Sequence, residues 1–196
     1  MVEFDTSKIG YSLKLDGKYY NTLDIEGFSH MMKDPSYCYK FYWLEAIVQL
    51  IAEGIKETTF DAVIDEMICN AWYSVREFHI HLSGIPIDGQ VKDGLERAVS
   101  KLSELSNLPA NASKVEIKNA IKKYALELKT SKEQLTNMVP YRALAGFFDR
   151  AEEPADWGSV RRMTEYIERI NEHVVILPYT LGTGSKLKKE IYFQPS

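Results

Sequence analysis

The sequence predicts a mainly α-helical globular domain. Several helices surround a central buried helix at about residues 35–53, and a small β-hairpin lies at the C-terminal end. Three observations predict this class. Apolar residues recur at helical spacing behind recognisable caps through most of the chain. The stretch 37–53 is apolar around most of a helical wheel. Residues 173–195 lose that period and read as two extended runs joined by a glycine-rich, lysine-bearing turn. A chain of 196 residues with 45% hydrophobic and 27% charged residues has enough apolar material for a core of its own.

The elements follow in order. Residues 1–30 form an N-terminal extension, in which Asp16-Gly17 marks a turn within a small hairpin. Asp34-Pro35 supplies a cap and a first-turn proline for the central helix, and Gly54 stops it. Thr58-x-x-Asp61 opens a second helix at about 59–73, with Phe60, Val63, Ile64, Met67, Ile68 and Ala71 on one face. The alternation in Glu77–Ser83 predicts a short strand with Phe78, Ile80 and Leu82 inward. A third helix at about 89–105 has Val91, Leu95, Ala98, Val99, Leu102 and Leu105 as its stripe. Ser113-x-x-Glu116 is a capping box for a fourth helix to about Lys129, burying Ile117, Ala120, Ile121, Tyr124 and Leu128. A further helical stretch covers 131–148, a polar loop follows, and Ser159 caps a helix to about Asn171. This divides the chain into an extension (1–30), a helical core (31–150) and a helix plus hairpin (151–196) packed on that core.

Composition excludes several functions. The net charge of −4, from 24 basic and 28 acidic residues, rules out a surface coated in positive potential but leaves room for a local basic stripe. Cys38 and Cys69 are too few and too far apart for a disulfide framework or a cysteine zinc site, and they fit reduced thiols in a cytoplasmic protein. No apolar run reaches the ~18–20 residues a membrane helix needs.

The aromatic stretch Ser36–Trp43 invites a base-stacking reading, but its rings point in several directions, which fits core packing better. Lys40 falls near the centre of the apolar arc, where its stem packs while its head reaches solvent or an acid; presentation to an anionic ligand is the alternative. His79 and His81 share one side of the expected strand and form half a metal site, without a third ligand in reach. The strongest interaction signal is electrostatic. Lys114, Lys118 and Lys122 recur every four residues on the fourth helix, and Arg161-Arg162 and Lys186-Lys188-Lys189 add two basic spots. Such a stripe suits a phosphate backbone, and it equally suits a plain solvated face.

Four segments together carry a resemblance. Tyr39-Lys40-Phe41-Tyr42-Trp43-Leu44-x-Ala46-Ile47 resembles a helix near the start of a group of bacterial HNH-endonuclease-like proteins. Thr59-Phe60 with Met67-Ile68-x-x-Ala71-Trp72-Tyr73, then Val139-Pro140-Tyr141-Arg142-x-Leu144, and finally the C-terminal pair of strands ending Tyr192-Phe193 are similar to segments of that group in the same order. Cys38 and Ala143-x-Ala145-Gly146 depart from its pattern. The resemblance spans about 34–195 and implies the N-terminal, non-catalytic region of such a protein, leading to an HNH module further along. His30, His79, His81 and His173 have no HNH-like setting, so no catalytic residue is carried over, no cofactor is expected here, and a divalent metal would belong to the absent module.

Three functions follow as expectations. One is a module that positions a nuclease on DNA or on a partner subunit, with Lys114, Lys118, Lys122, Arg142, Arg161 and Arg162 as phosphate contacts. Another is a protein-interaction, dimerisation or regulatory module without affinity for nucleic acid. The third is a small-molecule or metal enzyme using Lys40 or the His79/His81 pair.

Overall fold

A computed structural model gives the fold. It describes Gly27, Ser29 and residues 38–82, 93–137, 139–144, 159–172 and 178–193. The expected hairpin at 13–21, the Asp34-Pro35 cap, the 83–90 loop and the polar loop before Ser159 lie outside these residues.

The first helix of the core, α1, runs Tyr39–Ala52. Strand β1, Glu57–Thr59, leads directly into α2, Phe60–Arg76. Helices α3 (Gly94–Ser106), α4 (Lys114–Lys123) and α5 (Ala125–Thr136) follow, then the single turn α6 (Val139–Arg142). Helix α7 spans Val160–Glu172, and β2 (Tyr179–Leu181) and β3 (Glu190–Phe193) flank a short 3-10 turn at Lys186–Lys188. The mainly helical class with a small C-terminal β element is therefore correct.

The helices start where their caps dictate. The Asp93 carboxylate accepts from the backbone N–H of Leu95 and Glu96 at the head of α3. Ser113 and Glu116 form the reciprocal capping box on α4. Helix α3 ends on Asn107 in the left-handed conformation, φ 52°. The fourth and fifth expected helices divide differently from the reading above. Tyr124, at φ −108° and ψ 30°, breaks the chain between α4 and α5, so Leu128 lies on α5.

The C-terminal element is larger than a hairpin. Strand β3 is the middle of a three-stranded antiparallel sheet ordered β1-β3-β2. Thr58 pairs with Ile191 on one side, and Leu181 pairs with Ile191 on the other. The strand that completes the sheet comes from residues just before α2, which the sequence showed as a helix cap. Thr59 does sit at the cap position, but its backbone is extended and belongs to the sheet. The sheet therefore ties the two ends of the described fold together.

Two expectations fail in detail. Helix α1 is buried along Tyr39, Trp43, Ala46, Ile47 and Leu50, but Val48 and Ile51 face outward, so its burial is one-sided. The helix enclosed on most sides is α2, which packs against α1, α3, α4, α5 and the 3-10 turn. Its buried face comprises Phe60, Val63, Ile64, Met67, Ile68, Ala71, Trp72 and Val75. The segment after α2 is not a strand. Phe78 is 63% exposed and Ile80 44%, and only Leu82 of that alternation is buried. Phe78 packs instead on Tyr73, centroids 5.4 Å apart and edge to face.

Candidate functional site

The four segments that carry the resemblance meet at one place. Trp43 of α1 lies edge-on to Phe60 of α2 at 5.6 Å and to Tyr179 of β2 at 6.0 Å. Phe60 in turn meets Tyr141 of α6 at 6.2 Å. The Tyr179 hydroxyl donates to the Pro140 carbonyl, and burial pushes that hydroxyl far above the usual tyrosine range. Phe193 and Ile191 of β3 are also buried in the common core. Each edge-to-face pair is worth about 0.5–1.5 kcal/mol beyond its buried area. These motifs are thus the packing code of the fold. The rings at the junction, Trp43, Phe60, Tyr141 and Tyr179, are all buried, whereas Tyr73 and Tyr192 of the same motifs are exposed.

A second, polar cluster lies along α2. Glu66 is 2% exposed, yet it is a carboxylate. Lys114 Nζ lies 2.6 Å from its Oε2, and the Lys118 ammonium pairs with its Oε1. Lys114 also reaches Gln49 Oε1 at 3.3 Å and Glu53 Oε1 at 3.6 Å. Burial pulls the Lys114 ammonium down, but the bond to Glu66 and the charges of Glu66 and Glu53 outweigh it and hold its pKa above the lysine value. A buried carboxylate left alone would cost several kcal/mol, so α4 docks on α2 with two lysines aimed inward.

The same pattern recurs one step around α2. Lys132 of α5 is 4% exposed and sits between Asp61 and Asp65, with Asp65 Oδ1 at 2.5 Å. Burial raises the Asp65 pKa against the pull of Lys132. Helix α2 is therefore apolar on its core face and acidic along its flank, and of the two helices that follow α3 the first brings two lysines to it and the second one.

The six residues expected to touch phosphate separate accordingly. Lys114 and Lys118 converge on Glu66, while Lys122 at the end of α4 is exposed. Lys123 beside it lies over the Tyr124 ring at 4.9 Å. Arg142 is half-buried in α6. Arg161 and Arg162 are exposed on α7, a different part of the fold, and Arg161 pairs with Glu165 one turn on at 3.2 Å. Lys186 of the 3-10 turn is held by Glu133 at 2.9 Å.

The remaining candidates become structural. Lys40 is half-buried with its ammonium 5.6 Å from the Phe41 ring centre. His81 Nδ1 lies 2.8 Å from Glu96 Oε1, and Glu96 Oε2 accepts from the Leu82 N–H, so this pair anchors the chain after α2 on α3. His79 stands apart in the left-handed region at φ 52°. Among the described residues no group of three or more His, Cys, Asp or Glu side chains is placed to hold a metal ion. Burial, with Glu66 nearby, pushes the Cys69 thiol up to about 12, which makes it a poor nucleophile. Cys69 borders a cleft of about 330 Å³ with Asn70, Trp72, Tyr73, Ala112, Lys114 and Ile117. No described helix is long and apolar enough to cross a membrane.

Glu66, Asp61, Asp65 and Lys132 were missed as a set. The available signal was positional: Glu66 stands three residues after Val63 and just before Met67, at the edge of the apolar arc. Which lysines would come to meet it depends on how α4 lands, and no local pattern encodes that.

No protein-family model matches the chain, and comparisons with curated proteins and with solved structures likewise find no match.

Proposed function

We propose that this chain is a non-catalytic accessory region of an HNH-endonuclease-like protein, positioning a nuclease on DNA. The observation that supports this is the aromatic junction of Trp43, Phe60, Tyr141 and Tyr179. The four segments that carry the resemblance pack against one another as parts of one fold. Phosphate contact in this reading belongs to the outward cations Lys122 and Lys123 of α4 and to Arg161 and Arg162 of α7. Contacts of this kind fix position and carry little sequence information.

The test is fluorescence anisotropy of a labelled duplex of about 25 bp, titrated at several salt concentrations. The slope of log K against log salt is about −0.9 per neutralised phosphate, so a slope of about −2 to −3 is expected. Replacing Lys122 and Lys123 together by Glu flattens it. Absence of binding at low salt would refute the reading.

A second reading, a protein-interaction module, is favoured by a different observation. Val48 is 63% exposed and Ile51 and Ile55 are each 38% exposed along the outward side of α1 and its end. Sedimentation equilibrium tests it. Self-association that weakens in Val48→Lys, with unchanged DNA mobility, would favour this reading over DNA positioning.

A further inference from the structure

We propose that Glu66 is an internal anion that occupies Lys114 and Lys118 and so keeps them out of phosphate contact. This rests on the DNA-positioning reading and adds a level of control to it. Glu66 is 2% exposed, whereas the Lys114 and Lys118 side chains are 39% and 36% exposed. The carboxylate therefore approaches the lysines from inside the fold while part of each lysine still faces solvent. A phosphate oxygen would address each ammonium from the solvent side and compete with Glu66 for it. The competition is unequal. Glu66 is covalently held at the site, and leaving a nearly buried carboxylate unpaired opposes its release. In the resting fold the lysine stripe is thus shorter than the sequence suggests, because its first two lysines share the one carboxylate of Glu66.

The test is the same duplex titration with Glu66→Gln, alongside Glu127→Gln, which makes the same change in net charge at an exposed position of α5. Glu66→Gln should bind the duplex more tightly, with a salt slope steeper by about 0.9–1.8 as one or two more phosphates are neutralised. The gain should vanish when Lys114→Gln and Lys118→Gln are added, and Glu127→Gln should not reproduce it. An unchanged slope in a folded Glu66→Gln protein would overturn the inference and leave the DNA reading standing. An equal gain in Glu127→Gln would reduce it to net charge and overturn it as well. Absence of binding by both wild type and Glu66→Gln would overturn inference and reading together. Folding of the variant is checked by circular dichroism. If it does not fold, the wild type gives the answer by lysine Cε–H NMR with the duplex added. The Lys122 signal should move while those of Lys114 and Lys118 stay, and joint movement of all three would overturn the proposal.

Discussion

The aromatic junction and the charged seam lie on the same helix and hold it by different physics. At the junction, Phe60 at the start of α2 meets Trp43, Tyr141 and, through Trp43, Tyr179, four rings from four separate segments. Along the seam, Asp61, Asp65 and Glu66 of the same helix meet Lys132, Lys114 and Lys118. The junction gains from area and ring geometry, so its loss leaves a cavity. The seam gains from mutual neutralisation of groups that water would otherwise hold, so its parts matter more than its sum. The difference explains why the two looked so unlike their roles in sequence. Tyr39 and Trp43 of the stretch that suggested stacking on bases are buried, and two of the three lysines that suggested DNA contact pair with Glu66 within the fold.

The comparison breaks most visibly at Trp43, which is 0% exposed. Trp43→Ala removes the ring that touches both Phe60 and Tyr179, and it should lower stability by about 3–5 kcal/mol. Urea unfolding would show a lower midpoint at an unchanged slope. A loss under about 1 kcal/mol would mean the junction does not hold the sheet to the helices.

The seam should respond less. Lys118→Ala leaves Glu66 with Lys114 alone, and because the lysines are more than a third exposed the cost is about 1–3 kcal/mol, below that of a fully buried pair. Ser113→Ala, which removes the α4 capping box without touching either region, should cost about 1 kcal/mol in the same assay. Lys122→Glu should stay within about 0.5 kcal/mol, since that side chain is exposed at the end of α4.

The pH dependence sharpens the same contrast. Lys114 is raised above the lysine value of 10.5 in the fold. Its contribution is therefore fully present below that value and is lost as pH rises through the folded pKa. The stability gap between wild type and Glu66→Gln should shrink above about pH 10.5 in urea titrations. A gap that widens there would reverse the assigned sign.

Much of this architecture was legible from the chain. Capping signals located the starts of α2, α4 and α7 to within a residue or two, because a cap is a local contract between a side chain and the next turn. The stripe Leu95, Ala98, Val99 and Leu102 is buried as its period required. Strand β1 was hidden, because three residues of Glu-Thr-Thr carry no alternation and are extended only through pairing with Tyr192, Ile191 and Glu190 far along the chain. The outward face of α1 was hidden for a similar reason: a helix apolar nearly all round does not say which side its neighbours will take. The candidate site was legible as charge and illegible as geometry. The spacing of Lys114, Lys118 and Lys122 put them on one helix, but only the docking of α4 on α2 decides that the first two end on Glu66.

The claim that most needs testing is that Lys118 and Glu66 are a bonded pair within the fold. A double-mutant cycle of Lys118→Ala and Glu66→Gln, read by urea unfolding, measures this directly. A coupling energy of about 1–3 kcal/mol is predicted for residues in contact. Effects that add to within about 0.3–0.5 kcal/mol would contradict it and return Lys118 to the solvated stripe.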